Sequence, residues 1–559
     1  MIKQMTLGLV VGLFISMGSA SAKAPKEENL MLNFLLGELA FQRNDLETAE
    51  NYLAKVTKDN NIAYVLRQQF NIAYVNGDYL KALSLLNQIL EDEPDNIEVL
   101  LFEAIIYAQL NDNSKAAAVM NRVATLYAKD QPDDNGFHFL YRELKGAIAP
   151  DQFLKIYRQI AKMNDYSPEV TPLLASLLVD NGLYEEALQY LTRVIDQAPD
   201  NAVNYALLMY VYALLNEPET GLAMVKAAAE QSGQVDLKLE YAQGLINQFN
   251  YAAALQYIKE LAKTQPNHAK VQGQLAFLYF VYQDSDAART HLDKMVQLKG
   301  DYVTVIYKMA DFARSAGRMG DLYDVLPNVN VIDVQVVRLL SEADMALKKK
   351  SYATFLAIFD ELRTKFPDRA EYLYNQQLEM LDTSFDYQLL LPYAEILDVV
   401  TNYEVFTYSY YKAIAYEGMQ KPAQMQAVLK AWLNKHPDDP LALNGYGYML
   451  LENAKTEAQA KKALGYLQKA IALAPEEPAI MDSLGWAYFK AKDYAKARQY
   501  IVPAFHRLKE PDVISHYIAL LIEEQAIDQA RALFEQLQAI LPTHPETLAL
   551  LKQYPEVLQ

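Results

Sequence analysis

The sequence predicts an all-α protein built as a solenoid of antiparallel helical pairs, and three observations carry that prediction. Small residues recur in a fixed apolar setting, with an apolar residue four positions after each and, in most, an aromatic or aliphatic residue three positions before: Ala49, Ala82, Ala116, then Ala187, Gly221, Ala254, Ala288, and later Ala463, Ala497, Ala530. Within each run the spacing is 33 or 34 residues, which marks a repeat architecture. Prolines recur at one phase of the same period, at Pro94, Pro199, Pro266, Pro367, Pro437, Pro475 and Pro542.

Each unit also has helical periodicity and a stop. In LYEEALQYLTRVIDQAPDN, Tyr184, Ala187, Leu191 and Val194 share one helical face, and Pro199 ends the helix because it cannot donate the next backbone hydrogen bond. In DSLGWAYFKAKDYAKA, Gly485 sits inside a helix, where it costs about 1 kcal/mol relative to alanine. The expected compensation is close approach: the first helix supplies Leu484, Gly485 and Tyr488, the second Tyr494, Ala497 and Ile501, and the two cross at Gly485 and Ala497.

Composition bounds the rest. The chain has 559 residues, 52% of them hydrophobic and 22% charged, enough apolar content to bury a large core. A formal net charge of −19 argues against binding a nucleic-acid backbone and favours neutral or basic partners. The N-terminus combines Lys3, an apolar run from Leu7 to Ile15 and the small residues Ala20-Ser21-Ala22, the pattern of a secretory signal peptide cleaved after Ala22 or Ala24. That run is too short to span a bilayer, for which about 20 residues are needed, so no transmembrane anchor is expected. Cysteine is absent, which excludes disulfides, thiol catalysis and lipidation at an N-terminal cysteine. The expected location is periplasmic or secreted, with peripheral membrane association left open.

At the residues Leu484-Gly485, Tyr488, Tyr494, Ala497, Ile501 and Ala504, the unit resembles a tetratricopeptide repeat (TPR). The resemblance implies a right-handed α-solenoid of helix-turn-helix repeats, about fifteen at most. It divides the chain into a signal peptide (1–22), N-terminal repeats (23–128), an irregular helical segment (129–164), central repeats (165–300), degenerate TPR-like pairs (301–435) and C-terminal repeats (436–559). In the degenerate region KFPDR and KHPDD keep the phase, whereas 129–152 breaks it and reads as a longer turn or an irregular pair. The C-terminal stretch, with Asn444-x-x-Gly447-Tyr448, a longer turn before Ala463, and Asp482-Ser483-Leu484-Gly485-Trp486, is similar to bacterial envelope TPR adaptors that bring substrates to a carboxyl-terminal processing protease. Such adaptors are usually lipidated, and this chain has no cysteine to carry the lipid.

No chemistry-bearing constellation appears. The seven histidines have no zinc-ligand spacing, Gly445 and Gly447 follow no strand and lack the phosphate-loop lysine, and Glu185-Glu186 and Glu523-Glu524 point to different helix azimuths. No enzyme activity, metal or cofactor is expected. The aromatic content, 40 Tyr and 20 Phe against 2 Trp, is more informative. Helix positions two residues either side of the leucine-phase site of the first helix should face the inner surface of a TPR solenoid, and there stand Tyr210, Phe277, Tyr410, Asn444, Tyr448, Asp482 and Trp486. These are the candidate peptide- or partner-binding residues, since aromatic rings bury area at low entropic cost and Asn and Asp can bond to a main chain. The competing reading is that they pack against the next repeat. The expected function is a protein-protein interaction scaffold or adaptor of the cell envelope that delivers substrates to a periplasmic protease. The alternative is a structural docking component of an envelope assembly such as polysaccharide export machinery.

Overall fold

The computed structural model describes residues 27–558 apart from 44, 58–62, 133, 216 and 401–405, so the candidate signal segment and its cleavage site lie outside the described residues. Among the described residues there are 31 α-helices and no strand, and no helix is long and apolar enough to cross a membrane. The chain divides after Leu207 into two compact units.

Sequence and packing meet at the helix crossings. Every alanine of the 33/34-residue series is fully buried. A Cβ added to Gly485 would lie 2.6 Å from Ile501 Cγ1 and 2.9 Å from the Ile501 backbone nitrogen, so the helices Pro478–Lys490 and Tyr494–Arg507 approach too closely there for any side chain. Large residues fill the space on either side: Leu451, Leu467, Leu484 and Ala487 form one core with Ala463, and Phe489, Ile501, Ala519 and Leu520 form the next with Ala497. In the N-terminal unit the same rule gives Ala49 with Leu53, Val56 and Ile72, then Ala82 with Phe70, Leu86 and Ile106. The core is therefore a chain of small clusters, each shared by neighbouring repeats.

Both ends of each second helix have local causes. Helices ending at Asp92, Gln197, Thr264, Lys365, Lys435, Leu473 and Ile540 all stop two residues before a repeat-phase proline. The intervening residue, Ala198 (φ −136°, ψ 69°) or Phe366 (φ −131°, ψ 63°) for example, is kept out of the helical region by the proline that follows, while its N–H still closes the last helical turn. At the other end, aspartates 78, 112, 284 and 493 and Asn250 accept from a backbone N–H three residues on and cap the helix.

The turn inside most pairs carries one residue in the left-handed region. Gly77, Asn111, Gly182, Phe249, Gln283, Gly317, Lys350, Phe385, Gln420, Lys492 and Gln525 all have φ between 55° and 74°. Their spacing follows the repeat, and it continues unbroken through 301–435. Two hydrogen bonds hold each such turn, as in Lys350 N–H to Leu347 C=O at 2.8 Å and Ser351 N–H to Ala346 C=O at 2.9 Å. The region of weak sequence match is thus a run of helical pairs: Ile332–Lys348 with Tyr352–Lys365, Ala370–Thr383 with Tyr387–Val400, Phe406–Gly418 with Pro422–Lys435. One element departs from the pattern, because Tyr302–Ser315 is followed by the short 3₁₀ turn Met319–Leu322 instead of a second helix. The Asp344 carboxylate accepts from Gly320 N–H at 2.6 Å and pairs with Lys348 at 2.9 Å, which pins that turn. Residues 129–164 form an irregular pair, a short helix Gly136–Leu144 followed by Pro150–Met163.

Candidate functional site

The seven candidate residues fall into three settings, all within the C-terminal unit. Asp482 and Trp486 are engaged with the next repeat. The Asp482 carboxylate meets His516 Nδ1 at 2.9 Å, with both side chains buried, and the Trp486 indole stacks on the His516 ring at 3.9 Å between centroids and on Phe489 at 4.6 Å. Trp486 Nε1–H donates to Glu452 at 3.0 Å, and Lys490 joins the same carboxylate at 2.7 Å. These contacts tie three successive first helices together. Burial lowers the affinity of His516 for a proton, but the Asp482 carboxylate, helped by Asp512 and Glu546, outweighs it and leaves the imidazole above its ordinary pKa.

Phe277 and Tyr210 are covered by cations of the chain itself. Phe277 is buried, and Lys308 Nζ lies 4.4 Å above its ring while donating to Gln243 Oε1 at 2.7 Å. Desolvation pulls Lys308 down to about 8 despite the nearby Glu240. The Arg507 guanidinium lies 5.9 Å from the half-buried Tyr210 ring. Beside them Lys509 sits 4.0 Å over Phe505 and donates to the Phe505 carbonyl, and burial brings its pKa to about 7. Here the C-terminal repeats come back against the central ones: Ser315 Oγ–H donates to Glu510 at 2.9 Å and Tyr251 N–H to Gln536 at 3.0 Å.

Tyr410, Asn444 and Tyr448 have a different environment. They line one trough of about 660 Å³ on the inner face of the helices Phe406–Gly418, Pro440–Glu452 and Pro478–Lys490. Tyr410 is 38% exposed and touches Phe406 at a tilt and Tyr411 edge-on, both at 5.8 Å between centroids. Gly445 opens the wall between them: a Cβ there would meet nothing closer than Phe406 at 3.5 Å. The Asn444 side-chain oxygen is buried with no hydrogen-bond partner. A second cavity of about 830 Å³ continues from the first, sharing Tyr410, Tyr411, Glu510, Asp512 and Glu546.

The trough is acidic. Glu417, Asp482, Glu510, Asp512 and Glu546 line it, and among the described residues no lysine or arginine does. In the adjoining cavity burial, reinforced by Glu379, Asp512 and Glu417, pushes Asp382 up to about 7. Desolvation likewise raises Glu417, Glu510 and Glu546, and it holds the Tyr410, Tyr411 and Tyr448 hydroxyls protonated well beyond their usual range. Apart from Asp482, these carboxylates have no local sequence signal: Glu417 lies more than 90 residues from Asp512, and adjacent acidic pairs are not what converges here. Among the described residues no group of three or more His, Asp or Glu side chains could hold a metal ion.

Helical pairs that repeat every 33 to 35 residues, cross at small side chains and leave an inner trough define a helix-turn-helix α-solenoid. Tetratricopeptide-repeat profiles match residues 74–133, 173–201 and 458–501, so those stretches are tetratricopeptide repeats. A curated relative, "TPR repeat-containing protein PA4667" of Pseudomonas aeruginosa, is 26% identical over 211 residues, which cover 37% of this chain and 34% of the relative, so the match spans about a third of that protein. Among solved structures, the chain aligns with the APC/C assembly Cut9-Hcn1 (13% identity, 94% of this chain and 96% of the other, TM-score 0.30) and with yeast Tom70 (15%, 92% and 100%, TM-score 0.29). The repeats and the fold are those of a protein-protein interaction scaffold.

Proposed function

We propose that this chain is a non-enzymatic adaptor of the bacterial cell envelope, whose C-terminal unit captures partner proteins through the trough at Tyr410, Asn444 and Tyr448. The observation that carries this reading is the contrast within the candidate set. These three side chains line the trough, while Asp482 and Trp486 at the equivalent positions one repeat on are engaged by His516 of the next repeat. Aromatic faces beside buried polar atoms are the anchors that a docked peptide uses. The secretion-like segment at 1–22 supports the envelope location, and the resemblance of 441–501 to envelope adaptors supports delivery of substrates to a processing protease.

The test is a tagged chain expressed from its own promoter, crosslinked in cells and purified from the periplasmic fraction. Co-purification of a processing protease with its substrates is the expected result, and Tyr448→Ala should reduce it with helical content unchanged. Recovery of an export or synthesis complex would move the role to structural docking, and absence from the periplasmic fraction would overturn the envelope location.

A further inference from the structure

The trough has a charge that its own unit does not answer. Elsewhere on the same inner surface, aromatic rings are capped by the chain's cations, Lys308 over Phe277 and Lys509 over Phe505. Among the described residues no lysine or arginine lies over Tyr410, Tyr411 or Tyr448. Of the carboxylates in the wall, Asp482 is matched by His516, while Glu510 and Glu546 have only hydroxyl donors, Ser315 at 2.9 Å and Ser515 at 3.1 Å. The cations lining the adjoining cavity are already engaged: Arg314 with Asp311 and Glu379, Arg318 with Asp321, Lys348 with Asp344. Carboxylates that crowd one another in a partly dry site favour a cation strongly, because it relieves their mutual repulsion.

A second feature is independent of the charge. The Asn444 side-chain oxygen, buried in the trough wall with no partner, is an acceptor left for a donor that the chain does not supply. A cavity of about 660 Å³ takes a short extended segment and is too small for a folded domain.

We propose that the trough binds an extended peptide segment of a partner protein bearing lysine or arginine, whose cationic side chain lies across Tyr410 and Tyr448 and is held by Glu417, Asp512 and Glu546. The aliphatic stem of that side chain packs on the tyrosine faces, its charge meets the carboxylates, and a donor on the segment reaches Asn444. The inference rests on the adaptor reading and adds the chemical class of what is bound. The net charge of −19 steers such a segment toward the chain and makes the encounter salt-dependent.

The experiment is fluorescence anisotropy on the full chain with three labelled decapeptides of one Gly/Ser framework, carrying Lys, Gln or Glu at the same four positions, and with spermine as competitor. The lysine peptide should bind at least about tenfold tighter than the glutamine peptide, the glutamate peptide should not bind, and the preference should shrink with added salt. The double variant Glu417→Gln/Asp512→Asn should lose about tenfold for the lysine peptide alone. Tyr448→Ala serves as the second variant, and circular dichroism confirms that both fold. Equal affinity for lysine and glutamine peptides would overturn the charge selection while leaving the adaptor reading intact. Binding of spermine without binding of the lysine peptide would overturn the peptide as occupant. If crosslinked partners are lost in cells as well, the adaptor reading fails with it.

Discussion

The helices Pro440–Glu452 and Pro478–Lys490 stand one repeat apart and use equivalent positions in opposite ways. Gly447 and Gly485 both mark a crossing, Asn444 corresponds to Asp482, and Tyr448 corresponds to Trp486. In the second helix the pair is closed by the repeat that follows, because His516 offers an imidazole that Asp482 can bond and Trp486 can stack on. In the first helix no such cap exists, and Asn444 and Tyr448 border the trough. A solenoid position is therefore framework or binding surface according to the residue one repeat downstream, not according to its own type.

The comparison can be broken first at the aromatics. Trp486→Ala removes the stack on His516 and Phe489 and the bond to Glu452, and should cost about 3 kcal/mol of unfolding free energy. Tyr448→Ala should cost under about 1 kcal/mol. Urea denaturation of the two variants checks the difference, and equal losses would mean that the trough is core.

The glycines sharpen the same point. Gly485→Ala drives a methyl into Ile501, backbone included, and should destabilise by about 1–3 kcal/mol. Gly445→Ala meets only ordinary contacts and gains helix propensity, so thermal melting should stay level or rise slightly.

Two pH dependences follow from the charges. Folded His516 holds its proton more tightly than an unfolded histidine, so its contribution is fully present below about pH 6.5 and is lost as pH rises through the higher folded value. Asp482→Asn should flatten the stability profile above pH 6.5. Asp382 behaves differently: its folded pKa of about 7 stands well above the ordinary aspartate value of about 4, so the folded state binds the proton more tightly and stability falls as pH rises from about 4 to 7. Asp382→Asn should therefore melt a few degrees higher than the parent at pH 8 and alike below pH 4, read by calorimetry.

Much of the fold was legible because the residues that set it are local. Ala187 and Ala497 must be small where helices cross, and Pro199 and Pro475 must stop a helix wherever they occur. The degenerate region 301–435 was harder to read, since its turns place Lys350, Phe385 and Gln420 in the left-handed conformation where a sequence reading looks for glycine. The irregular 3₁₀ turn at Met319–Leu322 depends on Asp344, more than 20 residues away, and left no local trace. For the site, helical phase identified Tyr410, Asn444 and Tyr448 together with Asp482 and Trp486, yet phase alone could not separate them. What separates them is His516 and the convergence of Glu417, Asp512 and Glu546, both properties of distant repeats brought together by the fold.

The most direct measurement is hydrogen-deuterium exchange of the full chain with and without saturating lysine decapeptide. The account predicts added protection in Phe406–Gly418 and Pro440–Glu452, with Glu27–Gln42 through Tyr184–Gln197 unchanged. Protection confined to other helices, or none despite measured binding, would contradict the claim that this trough is the docking surface.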